Sequence, residues 1–315
     1  MTTAADNDML AVEYDAYGGP QVLKLRRRAA PQPGPGEVLV EIRAASMNPV
    51  DWKVRSGMLQ KFFPVTFPVI TGRDGAGEVV AVAADVDASW IGKRVCFLAP
   101  RGAGTWCGRI ALPATEAVPI PAGLSYQQAA TLPLAGISAW VAMVQTANVG
   151  SGMRVLIHAA AGGVGSLALQ LARARGASVI ATCSQRNVDF VRALGAQEVI
   201  AYDKTAFEKH AADVDIVLDV IGGEVHRRSY QVLRPGGMMV CLAAQPFEDL
   251  SAQYGVKVEA PQVLSDPAAL AEIVALVAAA KLKPCVEQVL PLSDFAKAQE
   301  MSESGHARGK TVLLV

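Results

Sequence analysis

The sequence predicts an α/β protein in which a doubly wound parallel sheet is joined to a smaller β-rich domain. Three observations predict it. Arg154 to Ala172 reads as an apolar strand, a glycine turn and an amphipathic helix. From there the chain alternates strand and helix, as parallel βαβ units do. Before it lie short strands punctuated by glycine and proline, the pattern of a small, partly open barrel.

In the first stretch, Leu10–Tyr17, Val22–Arg28 and Glu37–Ala44 read as strands separated by AYGGP and PQPGPG turns. Asn48–Gly57 should be a short helix. Glu78–Ala83 and Arg94–Leu98 are strand-like again. The pattern changes near Ser125, where one or two helices are expected, broken around Pro133. The parallel strands should be Arg154–Ala159, Ser178–Cys183, Glu198–Ala201, Asp215–Val220 and Gly237–Leu242, with Val256–Ala260 a sixth. LRPGG should be the turn into the fifth. Asn187–Leu194, His226–Leu233 and Pro267–Lys281 read as helices. Strand, helix and strand in the tail (Val286–Leu290, Ser293–Glu300, Lys310–Val315) are too few for a core of their own, so the tail should complete the first domain. The expected division is 1–127 with 282–315, and 128–281.

Composition narrows the function. Lys plus Arg equals Asp plus Glu at 29 each, so no electrostatic footprint of a nucleic-acid or membrane binder is present. No apolar run approaches the ~20 residues of a membrane span. The polar, acidic start MTTAADNDML resembles neither a secretory nor a transit signal. Five scattered cysteines without C-x-x-C point to a reducing compartment, taken here as the cytoplasm, and away from a structural zinc lobe.

The turn after the first parallel strand is A-x-x-G-x-x-G, from Ala159 to Gly165. Strand, glycine turn and helix in that order are the context of a dinucleotide fingerprint. Side chains at Gly162 and Gly163 would hold the backbone away from a pyrophosphate, and the N–H groups at the helix start, including that of Val164, would meet its charge. The second strand ends in Cys183, Ser184, Gln185 and Arg186, where an NAD-binding unit carries an Asp or Glu for the ribose 2′-hydroxyl. Ser184 and Arg186 can instead donate to a 2′-phosphate, which favours NADPH. Tyr202 is a further donor, or a surface for the adenine. Val220, Ile221, Leu242 and Ala243, at the carboxyl ends of the fourth and fifth strands, should line the nicotinamide pocket.

Other catalytic signatures fail. There is no G-x-S-x-G and no H-E-x-x-H. GHARGKT is one residue short of a Walker A motif, and no helix follows it. His158, His210, His226 and His306 are far apart and show no ligand spacing, so no metal is expected.

AYGGPQVL, NPVDWKVRSG, ATLPLAGISAW and HAAAGGVG together resemble motifs of the medium-chain dehydrogenase/reductase superfamily, in its zinc-free quinone oxidoreductase branch. The resemblance covers essentially the whole chain. It implies a GroES-like catalytic domain beside a Rossmann domain, and a homodimer, with Gly237–Leu242 the possible pairing edge. Zinc-dependent members carry a Cys where this chain has Asn48, and a GHE-G motif where it has Gly72-Arg73-Asp74-Gly75. The third ligand position falls near Thr131. Asp74 alone cannot hold a catalytic zinc.

The resemblance also places Asn48 and Thr131 beside the nicotinamide and its ribose, and brings the tail toward the cofactor. Arg308 and Lys310 thereby become candidates for phosphate or nicotinamide-side contacts, with plain solvated charge as the alternative. Lys53 is the candidate donor to ribose or substrate oxygen, or else a surface lysine. Asp51 should cap its helix or pair with Arg55. Met58, Leu59, Phe62, Phe63 and the Pro246–Tyr254 loop are expected to wall the substrate pocket. The expected reaction is hydride transfer from NADPH to a quinone or an α,β-unsaturated carbonyl. The alternatives are an enoyl or alkenal reductase for one metabolite, and a catalytically silent NADPH-binding sensor or structural protein.

Overall fold

A computed structural model describes residues 8–243, 246–305 and 307–315. The first seven residues and His306 therefore lie outside the described residues. The elements run β1 (Asp8–Tyr14), β2 (Lys24–Ala29), β3 (Glu37–Ser46), α1 (Pro49–Arg55), β4 (Val69–Ile70), β5 (Asp74–Val82), β6 (Arg94–Leu98), β7 (Arg109–Pro113) and β8 (Val118–Pro119). Helices α2 (Tyr126–Ala130) and α3 (Pro133–Trp140) follow, broken before Pro133 as expected. Next come β9 (Arg154–Ile157), α4 (Gly163–Ala174), β10 (Ser178–Cys183), α5 (Val188–Ala193), β11 (Glu198–Ala201), β12 (Val214–Asp219), α6 (Gly223–Ser229), β13 (Leu233–Cys241), α7 (Ser251–Tyr254) and β14 (Lys257–Glu259). The chain closes with α8 (Pro267–Ala278), β15 (Val286–Pro291), α9 (Phe295–Glu303) and β16 (Lys310–Leu314).

Contacts divide the chain into Met1–Leu134 with Ser265–Ala278 and Pro284–Val315, and Ala135–Leu264 with Ala279–Lys283. The expected border at 281/282 put α8 with the parallel sheet. Instead α8 groups with the first unit, where Ser265 Oγ donates to the Glu116 carboxylate and α8 packs on β8.

The first unit holds a sheet in the order β15-β16-β3-β5-β6-β8, with β7 also on β3, and a smaller sheet β2-β1-β4. Its core collects Val38, Val40, Ile42, Val79, Val95, Phe97, Ile110 and Leu112. Strand β7 went unread in the sequence, although RIALP carries the required alternation, with Ile110 and Leu112 turned inward. Strand β5 begins within GRDGAG, four residues earlier than its apolar run suggests. Glycine permits this: a Cβ on Gly77 would lie 2.0 Å from the Glu41 carbonyl oxygen of β3, and one on Gly75 2.4 Å from the Phe97 ring of β6.

The second unit is a six-stranded parallel sheet in the order β11-β10-β9-β12-β13-β14. In strand-sequence terms that is 3-2-1-4-5-6, the doubly wound dinucleotide-binding order. Two expectations change here. LRPGG is not a turn but the start of β13, which meets β12 with a register shift between Val214 and Ile216. Gly237–Leu242 is not a pairing edge either, because β13 bonds β12 on one side and β14 on the other. On that side the edge strand is β14. Among the described residues no helix is long and apolar enough to cross a membrane.

Candidate active site

In the parallel-sheet unit, the β9–α4 turn is shaped by close backbone approach. Ala159 takes a left-handed conformation (φ 49°), and its carbonyl accepts the Gly162 N–H at 2.9 Å. A Cβ on Gly165 would lie 2.4 Å from that carbonyl oxygen and 2.8 Å from Ala160 Cα, so only glycine lets α4 sit this close to β9. Gly162 caps the helix in extended conformation. The first N–H groups of α4, from Gly163 and Val164 onward, have no intrahelical acceptor. The helix behind them is held by buried Leu167, Ala168, Leu171 and Ala172. A pyrophosphate fits this cradle.

At the end of β10, Ser184 precedes a single turn, Gln185–Asn187, and its Oγ accepts from Asn187 Nδ2 at 3.1 Å. Arg186 is exposed in that turn, and Tyr202, exposed just after β11, donates its N–H to the Cys183 carbonyl at 3.0 Å. One acidic neighbour was missed in the sequence. Asp203 Oδ1 accepts the Gln185 N–H at 2.8 Å, because β11 runs beside β10 and ends at the same level. Val220, Ile221, Leu242 and Ala243 follow the carboxyl ends of β12 and β13, and the Leu242 N–H is tied to the Asp219 carbonyl.

The first unit contains a separate, buried polar cluster. Asp74, wholly buried, accepts from Ser46 Oγ (2.7 Å), Asn48 Nδ2 (2.8 Å) and Lys310 Nζ (3.2 Å) on one oxygen, and from the Leu134 N–H (2.8 Å) on the other. Lys310 also donates to the Met47 carbonyl at 2.7 Å and to Asn48 Oδ1. All three of its N–H groups are therefore committed. The Asn48 amide has one orientation as a result, since its oxygen must face the ammonium and its nitrogen the carboxylate. Thr131 is buried at the end of α2, and its Oγ1 donates to the Gln128 carbonyl.

Two family models match this chain. Residues 34–133 match the alcohol dehydrogenase GroES-like domain, and residues 194–313 match the zinc-binding dehydrogenases. The chloroplastic quinone-oxidoreductase homolog of Spinacia oleracea is 34% identical over 97% of this chain and 98% of its own. The chain belongs to the medium-chain dehydrogenase/reductase superfamily, in its quinone oxidoreductase branch. Among solved structures, the quinone oxidoreductase of Coxiella burnetii superposes with a TM-score of 0.91 at 33% identity, covering 98% of this chain and 99% of that one. The Escherichia coli quinone oxidoreductase complexed with NADPH gives 0.89 at 28%, covering 97% and 100%. The protein is thus an NAD(P)H-dependent oxidoreductase built from a GroES-like and a Rossmann unit.

Several site expectations change within the oxidoreductase. Lys310 is neither solvated nor available to a phosphate, because it is 6% exposed and spent on Met47, Asn48 and Asp74. Arg308 pairs with Glu287, to which its N–H donates at 2.6 Å. Asp51 caps α1, accepting the Asn48 N–H at 2.7 Å, but does not pair with Arg55. Arg55 turns instead to α9, reaching Gln299 Oε1 (2.5 Å) and Glu303 Oε1 (2.7 Å). Lys53 is half-buried beside Trp52, and burial lowers the pKa of its ammonium. Leu59 is buried, whereas Met58 and Phe62 are largely exposed and Phe63 lies under the Arg101 guanidinium.

His158 is a core histidine. Ser229 Oγ spends its hydrogen on the Val225 carbonyl (2.6 Å), so His158 Nε2 must donate to Ser229 and Nδ1 must accept from Thr182 Oγ1. Burial pushes its pKa down to about 4, which keeps it neutral. His226 has a different setting. The fold brings it to Asp219 and Cys241, three ligand atoms within 4.8 Å of one another. Residues from the end of β12, the middle of α6 and the end of β13 meet there, and linear spacing gave no sign of it.

Asp51 supplies a pH test. Burial, helped by nearby Asp74, pushes its carboxyl from the ordinary 3.8 up to about 7, against the pull of the Asn48 N–H and of Lys310. The folded state then holds a proton that the unfolded chain releases above pH 4. Stability from this group is present at low pH and falls as pH rises from about 4 to about 7, by at most about 1.4 kcal/mol per pH unit. Asp51→Asn keeps an acceptor for the cap and removes that slope. In denaturant titrations at pH 5 and pH 8, the variant should gain on the parent by a few kcal/mol at the higher pH; equal differences at both would refute the assignment.

Proposed function

We propose that this oxidoreductase is a zinc-independent NADPH-dependent reductase that delivers hydride to a quinone or an α,β-unsaturated carbonyl. The observation that carries the metal-free part is the Lys310 ammonium bound between Asn48 and Asp74. Those residues stand where zinc-dependent members of the superfamily place metal-binding residues. Asn48 and Thr131 are neutral there, and the buried charge of Asp74 is already taken by a fixed cation. A divalent ion would have to displace or repel it. Incubation with a chelator should leave turnover unchanged, and stoichiometric, activity-linked zinc would overturn this reading.

The cofactor, when bound, supplies the hydride from its nicotinamide. The Gly162–Gly165 turn and the first amides of α4 would hold its pyrophosphate, with Ser184, Arg186 and Tyr202 toward the 2′-phosphate. Asn48, fixed by Lys310 and Asp74, retains a second amide N–H outside these bonds. We assign that N–H to the substrate carbonyl oxygen, where it would stabilise the charge developing as hydride reaches the β-carbon. Lys53 is the alternative donor. The product takes its proton from solvent. An acceptor activated by conjugation needs no Lewis acid, which separates this chemistry from alcohol oxidation.

The 2′-phosphate preference has a direct test. Arg186→Ala should lower kcat/KM for NADPH about tenfold or more with little change for NADH, as loss of a charged hydrogen bond implies. Asp203→Asn should move the ratio the other way, by relieving repulsion of the phosphate. Equal use of both cofactors by the parent would refute the preference. Activity with one enone and none with quinones would favour an alkenal reductase, and NADPH binding without turnover of either a silent sensor. We place the protein in the cytoplasm, as its five free cysteines suit, and read it as a dimer whose pairing strand would be β14.

A further inference from the structure

Asp219, His226 and Cys241 form a buried group at the carboxyl ends of β12 and β13 that the hydride-transfer reading does not use. Asp219 is wholly buried, His226 is 1% exposed and Cys241 3%. Asp219 Oδ2 accepts from His226 Nδ1 at 2.8 Å, and Cys241 Sγ lies 3.8 Å from the same oxygen. Among the described residues no lysine or arginine pairs with this carboxylate; the basic side chain beside it is the His226 imidazole, which carries no fixed charge. A buried carboxylate with no permanent cation beside it is costly.

We propose that Asp219, His226 and Cys241 form a binding site for a thiophilic divalent cation, zinc foremost. The donors suit it: one carboxylate oxygen, one imidazole nitrogen and one thiolate sulfur, the set zinc takes. Tetrahedral zinc holds such atoms about 3.2–3.8 Å apart. The oxygen and nitrogen need only open by a few tenths of an ångström, while sulfur and oxygen already stand at that separation.

Each ligand already has a second partner to orient it. Asp219 Oδ1 accepts the Ile221 and Gly222 N–H groups, both at 2.9 Å. His226 Nε2 meets Tyr230 Oη at 3.1 Å, and that hydroxyl faces the Glu248 carbonyl at 3.4 Å and accepts the Leu250 N–H at 3.2 Å. The Ala243 amide bonds the Cys241 sulfur and favours its thiolate, although burial holds the thiol up at about 11 without a metal.

The protons balance. With neutral His226 donating from Nδ1 to Asp219, Tyr230 donates to Nε2. When the metal takes Nδ1, the imidazole proton resides on Nε2 and is donated to Tyr230, whose hydroxyl hydrogen turns to the Glu248 carbonyl. Only the thiol proton leaves. Two negative ligands and one neutral ligand then cancel the charge of the ion, as a buried site requires. Three protein ligands leave one coordination position.

The site is tested on the full-length protein after dialysis against chelator. Cobalt(II) should bind at one equivalent per chain and show tetrahedral d–d bands with a thiolate-to-cobalt charge-transfer band. Zinc should displace the cobalt, and zinc added to the metal-free protein should release one proton per ion in weakly buffered solution. Cys241→Ser should abolish the charge-transfer band, and both Cys241→Ser and His226→Asn should lower affinity at least tenfold, while Cys183→Ser changes neither. Tyr230→Phe, which keeps all three ligands, should weaken binding about 10–100-fold. Circular dichroism shows whether each variant is folded, and Tyr230→Phe is the arm that does not remove a ligand. No cobalt uptake by the parent, or uptake unaltered in folded Cys241→Ser, overturns the proposal. These readouts do not involve NADPH or turnover, so they stand whatever the substrate proves to be.

Discussion

Replacing Lys310 with methionine should destabilise the first unit by about 3–5 kcal/mol, the size expected when one partner of a buried ion pair is removed. The variant would leave the Asp74 carboxylate at 0% exposure with only neutral donors, Ser46, Asn48 and the Leu134 amide. Methionine fills a similar volume, so little of the loss would come from a cavity. Chemical denaturation at neutral pH reads the effect. Lys310→Met combined with Asp74→Asn should recover much of it, because no net charge then stays buried. A loss below about 1 kcal/mol, or a double variant no better than the single one, would show that the pair is not coupled as the 3.2 Å contact implies. The same substitution frees the Asn48 amide to rotate. Activity in the surviving folded fraction should therefore fall chiefly in kcat.

The second large effect is expected at the β9–α4 turn. Gly165→Ala places a methyl 2.4 Å from the Ala159 oxygen, closer than any real Cβ contact, and the obstacle is backbone. Helix α4 must move away from β9, at about 1–3 kcal/mol of overpacking strain. NADPH affinity, followed by fluorescence titration, should drop at least tenfold, about 1.4 kcal/mol. Gly162→Ala is the contrasting case. Its Cβ would lie 3.3 Å from the same oxygen, in an extended conformation any residue adopts. That variant should keep most of its stability while losing NADPH binding, because apart from that oxygen its methyl meets open space, where the pyrophosphate would lie. Unchanged binding in both variants would remove the nucleotide from this turn.

How much of this was legible beforehand follows from the range of the interactions. The first four parallel strands, the glycine turn and helix α4 rest on local apolar period and local steric need, and they appear in the sequence nearly as they do in the structure. The family was legible for the same reason, since its motifs are continuous stretches. Strand β7 and the early start of β5 were less legible, because short strands take their hydrogen bonds from distant partners. LRPGG reads as a turn and is the start of β13, which meets β12 across a register shift.

What the sequence by itself determined is the protein's chemistry class: a dinucleotide fold with a polar second-strand end and no usual set of zinc ligands at Asn48, Arg73, Asp74 and Thr131. Only the tertiary structure decided where its charges go. It placed Lys310 on residues more than two hundred positions away, put Asp203 against the Gln185 amide, and gathered Asp219, His226 and Cys241 at two strand ends. Charges and ligands act over a few ångströms in space, and linear spacing records that distance only when both partners share one helix or one turn.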